Sequence, residues 1–127
     1  MSPTPPPGRP PATILLVDDD PELAAALTPH LEGCGWRVAY ARDGDEAVRA
    51  TGFDAVVIDM MLPHRSGFAV VQHLRAEFGD ALPVLMTSAF DAPEHRAYAS
   101  LVGVTVFVAK PFALNELLGL LGALLPK

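Results

Sequence analysis

Cysteine is almost missing from this chain: Cys34 is the only one among 127 residues. An internal disulfide is therefore excluded. The neighbours of Cys34 offer no metal-ligand spacing, which leaves an ordinary packed thiol in a reducing compartment. Cations are scarce as well, nine Lys and Arg against fifteen Asp and Glu, for a formal net charge of −6. No basic run or stripe appears, which argues against direct nucleic-acid contact by this domain. Also absent are an apolar signal core at the amino terminus and any apolar run of membrane-spanning length, so the reading is a cytoplasmic protein with no membrane partner. What remains is 50% hydrophobic and 19% charged. That balance suits a globular chain, and the length suits one domain with a real core rather than two.

Residues 1–12 hold six prolines, Pro3, Pro5, Pro6, Pro7, Pro10 and Pro11, and no hydrophobic pattern. They read as an extended tail or linker, with docking on a proline-recognising groove as the alternative. Residues 13–127 read as the folded domain. A first strand over Thr13 to Val17 leads into Asp20, Pro21 and Glu22, which suit the N-cap and first turn of a helix. Leu23, Leu27 and Leu31 follow at four-residue spacing, and Pro29 predicts a kink or an early end. Gly33 and Gly35 mark the stop. Trp36 to Ala41 reads as strand two. Asp43 with Glu46 resembles a capping box that opens a short helix through Ala50.

Strand three covers Ala55 to Ile58. A third helix from Gly67 to Phe78 carries an apolar stripe of Phe68, Val71, Leu74 and Phe78. Strand four runs from Leu82 to Thr87. Asp91-Ala92-Pro93-Glu94 caps a fourth helix ending near Gly103, strand five is Val104 to Ala109, and a fifth helix is Ala113 to Leu125. Regular alternation over five repeats means an α/β fold, a doubly wound parallel sheet with helices on both faces.

Four of the apolar runs end in a polar or charged side chain: Asp18 and Asp19, Asp59, Ser88 and Lys110. Ligands of open α/β sheets bind outside the carboxyl ends of the strands, so these four ends point to one site.

The residues that carry these ends are Leu16-Val17-Asp18-Asp19-Asp20-Pro21, Ile58-Asp59-Met60-Met61-Leu62-Pro63 with Gly67, Ser88-Ala89, and Phe107-Val108-Ala109-Lys110-Pro111-Phe112. In this order they resemble the receiver domain of bacterial two-component response regulators, chemotaxis-regulator-like in being a single domain. The resemblance spans Thr13 to Leu125. It implies a flavodoxin-like five-stranded parallel sheet in the order 2-1-3-4-5 with five helices. It also implies that Asp18, Asp19 and Asp59 converge.

Three converging carboxylates raise each other's pKa unless a cation joins them, and magnesium, a hard ion taking oxygen ligands, suits the set. By the resemblance, Asp19, Asp59 and the backbone carbonyl of Met61 would bind Mg2+ directly, with Asp18 acting through a bound water. Asp59 would accept a phosphoryl group from a histidine kinase or phosphotransfer protein, assisted by magnesium and Lys110. The Lys110–Pro111 bond would be cis and aim the lysine at the site.

Either Ser88 or Thr87 would hold the phosphoryl oxygen. Ser88 is preferred, being 22 positions before Lys110 (110 − 88 = 22) and followed by the small Ala89. Phe107 stands where the family often carries a switching tyrosine, and would swing inward as Ser88 moves. An ordinary core role for Phe107 is the alternative. On this reading the chain is a signalling switch, not an enzyme. Its only chemistry is magnesium-dependent self-phosphorylation and self-dephosphorylation, and its output is a change in the surface of helix four, strand five and helix five.

Two departures stand out. Met61 and Phe90 are bulky and apolar at the positions two beyond Asp59 and Ser88, and are expected to shield the acyl phosphate from water. Helix five begins at Ala113 without a polar cap, and carries no charge from Leu117 to Pro126. Leu114, Leu117, Leu118, Leu121 and Leu125 are assigned to the sheet side, leaving Gly119, Leu120, Gly122 and Ala123 outside. That face would serve a homodimer, or lie under another domain. His30, His64, His73 and His95 share no ligand spacing. His64 and Arg65 flank the site loop, within reach of a kinase or the phosphate.

Two other functions fit parts of the pattern. Haloacid dehalogenase-like phosphatases also place an Asp-x-Asp after strand one, then a Ser or Thr and a Lys, which Asp18, Asp20, Ser88 and Lys110 match. A further acidic pair and a cap region are missing, however, and Asp59 would have no role. The other alternative is a receiver-like binding module that never takes up phosphate.

Overall fold

The computed structural model describes residues 11–125. Most of the proline-rich segment, residues 1–10, and the last two residues of the chain fall outside it. Five parallel strands form one sheet: β1 (Thr13–Val17), β2 (Arg37–Ala41), β3 (Ala55–Asp59), β4 (Val84–Ser88) and β5 (Val106–Ala109). Their order is β2-β1-β3-β4-β5, as the resemblance implied. Five helices connect and follow them: α1 (Pro21–Gly33), α2 (Gly44–Arg49), α3 (Gly67–Phe78), α4 (Pro93–Val102) and α5 (Leu114–Leu124).

Burial explains the strand sequences. Every residue of β3 and β4 is buried, so these central strands read as unbroken apolar runs, whereas the edge strands β2 and β5 are partly exposed. Alternate residues serve opposite faces. Leu15, Val17, Val56, Ile58, Val84 and Met86 pack with Val70, Val71 and Leu74 of α3 and Ala99 of α4. Ile14, Leu16, Ala55, Val57, Leu85 and Val108 pack with Leu27 and Leu31 of α1 and Leu117 and Leu121 of α5. Among the described residues no helix is long and apolar enough to cross a membrane.

The local signals hold in part. Asp20 caps α1, accepting from the amides of Glu22 and Leu23 at 3.0 and 3.3 Å. Asp43 accepts from the Glu46 amide at 2.8 Å, while the Glu46 carboxylate reaches back one residue beyond the cap, to the Arg42 amide. Other expectations need correction. Helix α1 continues past Pro29 to Gly33, so there is no early end. Pro29 lies on the exposed face, as does Ala25, whose carbonyl it leaves without a donor, so water can take the missing role. The buried stripe of α3 is Val70, Val71 and Leu74. Phe68 is half-buried at its flank, and Phe78 is exposed, its ring edge-on to Phe53. Asp91 does not cap α4; the N-cap is Ala92 with no side-chain bond, and Asp91 pairs with Arg96 instead. In α5 Leu120 is half-buried against the core rather than on the outer face, which is left to Gly119, Gly122 and Ala123.

One glycine anchors the loop after β3. Gly67 opens α3 directly over the end of the strand, and its amide donates to the Met60 carbonyl at 2.8 Å. A Cβ here would strike the Asp59 carbonyl oxygen and approach Met60 Cα to 2.9 Å. Backbone cannot yield as a flexible side chain would. Gly67→Ala is therefore expected to destabilise the fold by about 2 kcal/mol, read as a lower urea midpoint at unchanged slope.

Candidate functional site

Strand register assembles the site. Val17 pairs with Ile58, Asp59 with Thr87, and Ser88 with Ala109, so Asp18, Asp59, Ser88 and Lys110 all emerge at the carboxyl edge of the sheet. Backbone bonds fix that edge: Met60 N to Thr87 O and Lys110 N to Ser88 O, both 2.8 Å. The Tyr40 hydroxyl of β2 donates to the Asp18 carbonyl at 2.7 Å and steadies the acidic turn.

Asp18, Asp19 and Asp59 each present a carboxylate oxygen within 4.8 Å of the others. Asp18 and Asp59 are buried and Asp19 is exposed. The expected convergence is therefore found. The Lys110 ammonium lies 3.1 Å from Asp18 Oδ2 and 3.2 Å from Asp59 Oδ2. The Lys110–Pro111 bond is cis, as expected. Three carboxylates against one ammonium leave an excess of negative charge. Two buried anions and one exposed anion, all hard oxygen donors, fit a magnesium ion that keeps several of its waters.

The environment shifts both key groups. Burial, above all, raises the Asp59 pKa from its ordinary value, and the charge of Asp18 adds to this. The Met61 amide, which donates to Asp59 Oδ1 at 3.1 Å, and the Lys110 charge pull against it. For Lys110 burial acts downward, but the hydrogen bonds and charges of Asp18 and Asp59 outweigh it, so the net shift is upward and the ammonium is firmly held.

Ser88 is fully buried at the end of β4. Its hydroxyl accepts from the Phe90 amide at 2.9 Å and lies 3.2 Å from the Phe90 carbonyl, to which it donates. Phe107 is half-buried, packed in the α4-side core and covered outside by the Arg96 guanidinium, 4.8 Å from its ring centre. Met61 and Phe90 project outward, 56% and 53% exposed, at the mouth of the site.

The loop after β3 is tied to α2 in a way the sequence did not disclose. His64 has φ 72°, a left-handed conformation uncommon for a non-glycine residue. Its Nδ1 stands 3.4 Å from both Asp43 and Asp45, and Arg65 donates to Asp45 at 2.8 Å. These two basic residues thus face α2. Arg75 and Arg96 also join elements that the sequence does not show to be neighbours: Arg75 reaches the Gly103 carbonyl, and Arg96 covers the Phe107 ring.

Comparison with known proteins agrees with this geometry. A family model described as the response regulator receiver domain matches residues 14–121. TcrX of Mycobacterium tuberculosis is 42% identical over 118 residues, 91% of this chain and 50% of TcrX. The chain thus spans about half the length of this relative. The non-phosphorylated HemR receiver domain of Leptospira biflexa superposes with a TM-score of 0.82 at 34% identity, covering 89% of this chain and 93% of that one. TrrA of Thermotoga maritima, solved in complex with Mg2+ and BeF, gives a TM-score of 0.80 at 27% identity, covering 90% of this chain and 99% of that one. With the sheet order, the carboxylate cluster and the cis peptide after Lys110, these matches place the chain in the response regulator receiver domain family.

Proposed function

We propose that Asp59 accepts a phosphoryl group from a phosphohistidine on a kinase or phosphotransfer protein, with Asp18, Asp19, Asp59 and the Met61 carbonyl holding Mg2+. The convergence of Asp18, Asp19, Asp59 and Lys110 at one sheet edge carries this reading. An Asp59 carboxylate oxygen bonds to phosphorus as the donor's phosphorus–nitrogen bond breaks, and the electron pair leaves on the imidazole nitrogen. Magnesium, when bound, neutralises charge on the phosphoryl oxygens. Lys110 supplies a second positive charge at Asp59, already in place before transfer. Ser88 offers its hydroxyl to a phosphoryl oxygen once it lets go of the Phe90 carbonyl. An open apolar hollow lined by Leu23, Ala89, Lys110, Pro111 and Phe112 adjoins the lysine and offers the donor's imidazole an approach.

The test is intact mass after incubation with acetyl phosphate, with magnesium and with a chelator. One phosphoryl adduct that requires magnesium is the expected result. No adduct with magnesium present would leave a module that works without phosphate.

The bulky Met61 and Phe90 at the mouth lead us to expect slow self-dephosphorylation, read by following that adduct after removing the donor. Decay within seconds would discard their shielding role. On the output side, Leu101 is 79% exposed on α4, and on α5 Gly119, Gly122 and Ala123 are exposed beyond Glu116. This apolar surface supports the α4–β5–α5 face as the one that meets a partner, a second copy of the chain included. Sedimentation of the phosphorylated protein as a monomer would count against the homodimer.

A further inference from the structure

Ser88 and Phe107 share one face of the sheet, the face toward α4, because Ser88 continues the alternation of Met86 and Phe107 packs in the same cluster. Each is engaged by its neighbours in this structure. The Ser88 O–H is donated to the Phe90 carbonyl, and a single hydroxyl proton cannot also serve a phosphoryl oxygen on Asp59. The loop between β4 and α4, residues 89–92, is held at its far end by Asp91, whose carboxylate pairs with Arg96. Arg96 also lays its guanidinium over the Phe107 ring at 4.8 Å and points Nη1 at the Phe107 carbonyl at 3.4 Å. One side chain of α4 therefore ties together the loop that occupies Ser88, the ring on β5, and the helix.

We propose that Arg96 is a positioning residue that latches the unphosphorylated arrangement, bracing the loop between β4 and α4 against the Phe107 ring and so restraining the release of Ser88 that binding at Asp59 demands. The inference rests on the reading of Asp59 as phosphoacceptor. Its logic is a population shift: contacts made only in the resting arrangement lower the apparent affinity of any ligand that needs the other one. The contacts are a planar cation on an aromatic face and an exposed charge pair, so the latch is modest. That suits a switch which must open when phosphorylated. Phenylalanine rather than tyrosine at 107 fits the arrangement. The ring has no hydroxyl to anchor to water, and the guanidinium supplies the polar cover for its half-exposed side.

The test is titration with beryllofluoride and magnesium, an inert mimic of the phosphoryl group, followed by isothermal calorimetry on the full chain. Arg96→Ala is expected to tighten binding about fivefold, the gain that releasing one exposed cation–π contact and one surface pair allows. Arg96→Lys keeps the charge for Asp91 but not the planar stack, and should fall between the two. In a Phe107→Ala background the Arg96→Ala gain should shrink to less than about twofold, since the ring it acts through is gone. Arg96 is on the surface, so thermal melting should show the fold intact in each variant. Unchanged or weaker binding by Arg96→Ala, or an undiminished gain without the Phe107 ring, overturns the latch. If the unsubstituted protein itself fails to bind beryllofluoride, the phosphoacceptor reading falls, and the latch with it.

Discussion

Asp59→Asn is expected to abolish the phosphoryl adduct and, in the absence of magnesium, to make the folded protein more stable. The first effect follows from the chemistry: an amide has no carboxylate oxygen to bond to phosphorus, and it is Asp59, at the end of the central strand β3, that the proposed transfer uses, with Lys110 3.2 Å away and the Met61 amide directed at it. The second follows from burial. The Asp59 pKa is raised above its unfolded value, chiefly by desolvation. A carboxyl shifted in that direction contributes stability below its unfolded pKa, and the contribution is lost as pH rises through the folded pKa. At neutral pH the wild-type protein therefore holds an ionised carboxylate at a cost, which asparagine removes while leaving Lys110 its bond to Asp18. The melting temperature of the variant should exceed that of the wild type at pH 7. The difference should close toward about pH 3, where carboxyls are protonated.

Magnesium should change the comparison. On the proposed reading it binds the folded acidic cluster, and at about 100 times its Kd would add roughly 2.7 kcal/mol to the wild type. The variant, with one carboxylate fewer, should gain much less. Thermal melts of both proteins in chelator and in magnesium check all of this at once. A variant that is less stable than wild type in chelator would mean that Asp59 is structurally paired rather than strained. An adduct that survives the substitution would move the acceptor elsewhere.

How much of this was legible in the sequence depends on whether a residue acts through its neighbours in the chain or across the fold. The site was legible because a parallel sheet brings strand ends together by construction. Once four apolar runs end in Asp18, Asp59, Ser88 and Lys110, their meeting requires only the right strand order. Buried strands β3 and β4 were equally plain, since both faces demand apolar residues. Pro29 misled because the rule against interior proline assumes that the carbonyl it orphans is buried, and here it faces water. Asp91 misled for a related reason. It has the chemistry of an N-cap, but an arginine one helical turn into α4 competes for it and wins. The α3 stripe was misplaced at Phe78 because aromatic rings were counted as core, whereas the sheet takes the smaller Val70 and Phe78 stays at the rim with Phe53. Arg96 and Arg75 were the least legible, because much of what they hold lies on other elements: the Phe107 ring and carbonyl for Arg96, the Gly103 carbonyl for Arg75.

Arg75 is where that blindness has the largest consequence for stability. Its guanidinium sits half-buried where α3, the loop before β4 and the end of α4 meet. Nε and Nη2 donate to the Gly103 carbonyl at 3.0 and 2.6 Å, and Nη1 to Leu82 at 2.6 Å and Gly79 at 2.9 Å. Nη2 also lies 3.4 Å from Thr105 Oγ1, which accepts from the Val84 amide at 3.0 Å. Gly79 and Gly103, the C-caps of α3 and α4, both have positive φ, so two helix ends are turned toward one cation. Carbonyls at helix C-termini lack partners within the helix and carry the negative end of its dipole, which a charged donor suits well. Arg75→Ala removes the donors and leaves two part-buried carbonyls, Leu82 and Gly103, and the exposed Gly79 carbonyl behind. Hydrogen bonds to a charged group are worth about 1.5–3 kcal/mol, and part of the loss here is relieved by water. The expected cost is about 3 kcal/mol, or roughly 10 °C in melting temperature for a domain of this size. Arg75→Lys should recover little of it. An ammonium cannot reach the Gly103 and Leu82 carbonyls together in the fork geometry that the guanidinium provides. If lysine restores most of the stability, a point charge at the helix ends suffices and the fork does not matter; if alanine costs nothing measurable, water already serves those carbonyls.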